Sequence, residues 1–233
     1  MPIGRAYASP DMPMTMPQRQ IDRPSKPRSS TGVSLIEVLV SLVILSLGML
    51  AVVALQLVSK RNNADAGQRT IAAQLAYDIA ERMRANASTA TLPNYLLGAT
   101  TTPAGALYDP DTTAPAACTS GSPCTAAQTV TRDLWSWEQT LKGASETVDG
   151  ESTGGLVTPL GCIEQITNDG GGDGIYAITI VWRGSVQIPD SGTGPDCGRA
   201  GEPGNTAAPA LYGDDDEYRR VLSLPVYITA RRA

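Results

Sequence analysis

Residues 38 to 58 form the longest apolar run in the chain, 21 positions without a charge, 14 of them Leu, Ile or Val. Coiled as a helix, such a run covers roughly 30 Å, the thickness of a bilayer's hydrocarbon core. The pattern predicts a membrane-spanning helix entered at Glu37, a single carboxylate whose insertion cost the surrounding side chains outweigh. The helical period continues beyond Lys60 and Arg61. Ile71, Leu75, Ile79 and Met83 recur every fourth residue beside Ala72, Ala76 and Ala80, making one apolar stripe. Asp65 with Arg69, and Asp78 with Arg82, are spaced for ion pairs on the wet side. No proline interrupts residues 33 to 91, so the spacing predicts one helix from about Ser34 to Ala87. Gly48 and Gly67 lie inside it, and Gly48 reads either as a kink point or as a place of close packing.

The pattern then changes twice. Residues 88 to 130 are rich in Thr, Ala, Pro and Gly and show no apolar period, which predicts a long surface loop. Residues 131 to 142 place Leu134, Trp137, Glu138 and Leu141 at helical spacing, with Gly143 as the stop. Trp135 falls off that stripe, as a rim contact or a partner-facing aromatic. Period two follows, weakly over 163–166 and strongly over 175–182, where Tyr176, Ile178, Ile180 and Trp182 share a face. Leu222, Leu224, Val226 and Ile228 repeat it over 221–229, and Pro225 on the opposite face confines that strand to an edge or a bulge. The expected fold class is α+β, a long N-terminal helix whose second half packs on a small antiparallel sheet.

Composition narrows the chemistry. The chain has no His and no Phe, which removes the commonest general base and metal ligand. No nucleophile motif, phosphate loop or paired carboxylates at a recognisable spacing appear, so neither enzyme activity nor a cofactor is expected. Residues 1–32 hold Arg5, Arg19, Arg23, Lys26 and Arg28 against Asp11 and Asp22, a local +3 within an overall −5. Positive charge before the apolar run keeps that end cytoplasmic and sends the acidic remainder outside. The acidic exterior speaks against nucleic-acid binding. The organisation expected is a leader over 1–32, a spanning half-helix over 33–60 and an external head over 61–233. In an oxidising compartment four cysteines read as a disulfide framework. Of three connectivities, Cys118 with Cys124 as a local clip and Cys162 with Cys197 around the central strand is chosen. The segments from Asp169 to Gly174 and from Asp214 to Glu217 offer oxygen ligands for calcium or are simply a glycine-rich turn and a solvated acidic loop; neither has the spacing of a calcium loop.

The stretch Gly32-Val33-Ser34-Leu35-Ile36-Glu37-Val38-Leu39-Val40 closely resembles the type III signal of type IV pilins and type II secretion pseudopilins, usually written G-F-T-L-I-E. The resemblance implies cleavage after Gly32 by a prepilin peptidase and N-methylation of Val33, which stands where Phe is usual. It also implies that Glu37 pairs with the new amine of an adjacent subunit and so sets axial register. The run Glu81-Arg82-Met83-Arg84-Ala85-Asn86 looks like the signature of the PilV group of minor pilins, although arginines and an asparagine also suit a helix C-terminus. The implied partners are other minor and major pilins through the N-terminal helix, the peptidase and the inner membrane, with no small-molecule substrate. The implied location is the inner membrane as a single-pass protein with its head in the periplasm, then the pilus. A minor pseudopilin of a type II secretion system shares the same leader. A membrane-tethered adhesin-like module is a third possibility, and its sign would be exposed aromatics among Tyr95, Tyr108 and Tyr212.

Overall fold

The computed structural model describes residues 32–98, 103–105, 114–144, 147–149, 151–152, 154–190, 192–202, 204–206 and 210–231. Except for Gly32, the predicted leader lies outside the described residues, as does Tyr108.

The apolar run and the stripe behind it form one helix, α1 (Leu35–Ala85). It ends two residues before the expected Ala87 and passes through Gly48 and Gly67 without a break. A methyl group added at either glycine would meet nothing within 4 Å, so no close packing within the chain explains them. The chain divides into two compact units, 1–50 and 51–233. In the first, every described residue of the helix is exposed, Leu35 at 81 % and Leu50 at 72 % among them. Ser41 and Ser46 donate their hydroxyls to the carbonyls of Glu37 and Leu42 on their own helix, so the apolar run carries no unpaired hydroxyl there.

The second unit holds the core. Ala72, Ala76, Ile79, Ala80 and Met83 are fully buried, and Leu75 packs partly against the same core. Ile71 does not join them. It is 36 % exposed, because the buried stripe is centred on the alanines, which let the helix approach closely. After α1, residues 88 to 98 and 103 to 105 are not wholly the surface excursion expected over 88 to 130. A short 3-10 turn (Leu92–Tyr95) buries Leu92 and Tyr95, and Leu97 and Ala104 are buried behind it. The apolar side chains are spaced too irregularly for any period to reveal them. Helix α2 (Ala126–Lys142) starts five residues before the predicted 131. Thr125 caps it in a reciprocal capping box with Gln128, and Gly143 ends it in the left-handed conformation. Its buried face is Val130, Leu134, Trp137, Glu138 and Leu141.

A two-stranded ribbon follows, β1 (Thr147–Val148) and β2 (Glu151–Ser152), too short to leave a period. The main sheet is antiparallel in the order β3-β4-β5, from β3 (Leu160–Gln165), β4 (Gly174–Arg183) and β5 (Arg219–Ile228). The weak strand expected over 163–166 therefore starts three residues earlier and ends one residue earlier. Register sets Ile163, Ile178 and Leu224 side by side, and Leu160, Val181 and Val221 on the opposite face. The first face meets α1 and α2 in the main core, as the period-two pattern implied. The second face is also covered: Leu160, Cys162, Val181, Cys197 and Tyr212 make a smaller core beneath the chain between β4 and β5. Gly161 lets the two helical and sheet layers meet, since a methyl group there would stand 2.4 Å from the Trp137 ring.

Candidate functional site

Gly32, Val33 and Ser34 precede α1, and the Ser34 carbonyl accepts the amides of Glu37 at 2.9 Å and Val38 at 3.3 Å, which starts the helix. Glu37 thus lies in the first turn, where the positive end of the helix dipole favours a carboxylate. A methyl group added at Gly32 would meet nothing within 4 Å, and Val33 is 69 % exposed, so both flank an accessible peptide bond. Glu37 is exposed too, and among the described residues its carboxylate makes no hydrogen bond or ion pair. A carboxylate without a partner among the described residues, at the head of a fully exposed apolar helix, is free to accept from a group beyond them.

The six residues 81 to 86 sit at the other end of α1 and behave differently. Met83 is core. Arg82 forms the predicted pair with Asp78 at 2.9 Å and also reaches Asp133 of α2 at 3.7 Å. Asn86 donates to the same Asp133 at 2.7 Å, and the Tyr95 hydroxyl donates to it as well. Arg84 pairs with Glu81, and Ala85 closes the helix. The signature is thus largely a clamp that ties the end of α1 to α2 and to the 3-10 turn. Burial, together with the hydrogen bond to Asp133, pushes the Tyr95 phenol well above the ordinary tyrosine range. Asp133 and Tyr95 were beyond sequence reasoning, because their partners lie 47 and 38 residues away along the chain. The other expected pair, Asp65 with Arg69, is replaced: Asp65 accepts instead from the Ser185 hydroxyl at 3.0 Å.

Both predicted disulfides are present, Cys118 with Cys124 and Cys162 with Cys197. The first closes an exposed clip directly before the Thr125 cap. The second anchors the covering of the second core, where Arg219 completes the attachment. Its guanidinium donates to the Cys197 carbonyl at 2.8 Å and to Asp190 at 3.2 Å, with Pro195 a further acceptor. Burial lowers the pKa of Arg219, and Asp190 works against that shift.

The acidic segments are structural. Asp173 accepts the Ala230 amide at 2.6 Å and Asp169 the Tyr227 hydroxyl at 3.1 Å, around a turn whose Gly170, Gly171 and Gly172 all have positive φ. Asp216, expected to be solvated, is buried and holds the Ala200 amide at 3.1 Å. Among the described residues no cluster of three metal-ligating side chains occurs. Tyr95 and Tyr212 are fully buried rather than displayed in loops, with Tyr212 donating to the Thr158 carbonyl at 2.8 Å. Trp135 is half-buried on α2.

Comparison with known proteins gives two matches. Residues 27–53 match the prokaryotic N-terminal methylation motif, and residues 54–135 match the Tt1218-like family, type IV pilin Tt1218. No curated protein and no solved structure matches the chain.

Proposed function

We propose that this chain, similar to type IV pilin Tt1218 over residues 54–135 and to the prokaryotic N-terminal methylation motif over residues 27–53, is a minor pilin of the PilV type that takes part in building or modifying a type IV pilus. It is inserted in the inner membrane with residues 1–32 on the cytoplasmic side and the head in the periplasm. A prepilin peptidase cuts between Gly32 and Val33, and the Val33 amine is methylated. The apolar half of α1 then leaves the bilayer and packs among the helices of neighbouring pilins. The observation that carries the reading is Glu37, a carboxylate without a partner among the described residues, in the first turn of an exposed apolar helix and inside the methylation motif. In a water-excluded filament core, a subunit's cationic terminus left without a counter-ion costs several kcal/mol, and Glu37 of the adjoining subunit supplies it. The PilV assignment rests on the likeness of residues 81 to 86 to that group's signature; in this chain those residues tie α1 to Asp133 of α2 and Tyr95 of the turn.

The test has two arms. Gly32→Glu leaves the precursor at its full mass, and normal processing would remove the leader reading. Glu37→Ala is processed yet is missing from sheared pili, read by immunoblot of the pilus fraction. Loss of piliation without the gene, with exoprotein secretion intact, favours the pilus over a type II secretion system; the reverse pattern assigns the chain to secretion.

A further inference from the structure

The two edges of the main sheet are treated differently. The outer edge of β3 is occupied by the chain itself: Leu97 exchanges both backbone hydrogen bonds with Ile163 at 2.9 Å, and Ala104 does the same with Gly161. On the outer side of β5, among the described residues, no backbone group pairs with residues 221 to 227. Pro225 lacks an N–H and blunts the second half of that edge, which leaves residues 221 to 224 as the stretch competent to pair.

A cleft of about 300 Å³ runs along that same stretch, lined by Val221, Leu222, Ser223 and Leu224 and walled by Arg69 and Tyr77 of α1. A second, of about 420 Å³, extends it past Arg69 to Arg220 and Trp182. Tyr77 is 56 % exposed above the groove. Arg69 makes no ion pair among the described residues, and Arg220 reaches the carbonyls of Val186 and Arg219. Asp65 also lines the second cleft and remains a carboxylate while accepting from Ser185, so two guanidinium groups stand against one carboxylate beside the open edge.

We propose that the β5 edge at residues 221 to 224 is the docking site for an extended, carboxylate-bearing segment of another pilin's head, which joins the sheet as a fourth strand. Main-chain bonds to β5 supply the attachment, alternate apolar side chains enter the cleft beneath Tyr77, and Arg69 and Arg220 receive the carboxylates. Against a second copy of this chain, the net positive charge of each groove opposes edge-to-edge pairing. The proposal rests on the pilin reading above.

The test places the photocrosslinking residue p-benzoylphenylalanine at Tyr77 or Ser223 of the full-length chain in pilus-assembling cells, with exposed Ile166 as the control position. Crosslinked peptides are mapped by mass spectrometry in the sheared pilus fraction. The expected result is a crosslink from both groove positions to an acidic extended segment of a different pilin head, and none from Ile166. Adding Arg69→Glu lowers the yield by about fivefold, the effect of removing one ion pair and adding a like charge. Crosslinks to a second copy of this chain, to lipid or to a helix of the filament core overturn the proposal. So does a chain that enters pili normally but crosslinks to nothing, a result that leaves the pilin reading standing. Absence of the chain from pili overturns both.

Discussion

Tyr95 shows how much one side chain is asked to hold. It is fully buried, donates to Asp133 and thereby shares an acceptor with Asn86, while Arg82 sits on the other oxygen of the same carboxylate. The folded state keeps its proton more tightly than the unfolded chain does, as it also does for Tyr212, raised by burial. A raised pKa contributes stability that is complete below the unfolded value, about 10 for tyrosine, and is lost as pH climbs above it. The urea midpoint of the full chain in detergent is therefore expected to be flat between about pH 7 and 9 and to fall above about pH 10. Tyr95→Phe should flatten part of that fall while costing about 1 kcal/mol at neutral pH. An unchanged alkaline fall in the variant would separate Tyr95 from the effect. Sequence alone placed Arg82, Met83 and Asn86 together on a helix end; it could not place Asp133 beneath them, because a contact spanning 47 residues leaves no periodic trace.

Among the elements, α2 depends on its fit to β3. Trp137 is fully buried, donates its indole N–H to the Leu75 carbonyl of α1 at 2.9 Å, and lays its ring against Gly161. Gly161→Ala is expected to lower stability by about 1 to 3 kcal/mol through overpacking, with the denaturant midpoint shifted and the m-value unchanged. Trp137→Leu in the same background should recover part of the loss, since it removes the clashing ring. Most of this architecture was legible: α1, the Leu134 to Leu141 face and the period-two strands all leave patterns that apolar burial imposes. What stayed hidden has a common cause. The early start of α2 is encoded in the Thr125 and Gln128 cap rather than in hydrophobic period, and the 3-10 turn buries Leu92 and Tyr95 from a segment with loop composition.

At the scale of the molecule, the described part of one unit is an exposed apolar helix, and the other unit carries two cores on the two faces of its sheet. The proposed orientation makes a sharp expectation: alkaline phosphatase fused after Lys142 should be active in intact cells, and the same enzyme fused before Gly32 should not. Equal activity at both points would reverse or abolish the single-pass assignment. Glu37 stands out in sequence as a candidate site because an isolated carboxylate in an apolar run demands a reason. The β5 edge was readable only as Pro225, a sign that the strand is peripheral; the occupied edge on β3 and the two arginines beside β5 emerge only once distant segments are brought together.

The covering of the second sheet face has a bearing on how this surface can drift over generations. Among the described residues between Cys197 and Arg219, those that hold it down include Gly198 against Tyr212, Arg199 on Asp190, Gly204 against Pro103, Asn205 through its bonds to Gly198 and Leu211, Tyr212 itself, and Asp216 on Ala200. The disulfide and the Arg219 guanidinium fasten the entry to this segment, so exposed residues between those anchors are free to vary without uncovering Val181. Such a lid can change its outward surface while the fold beneath it stays the same.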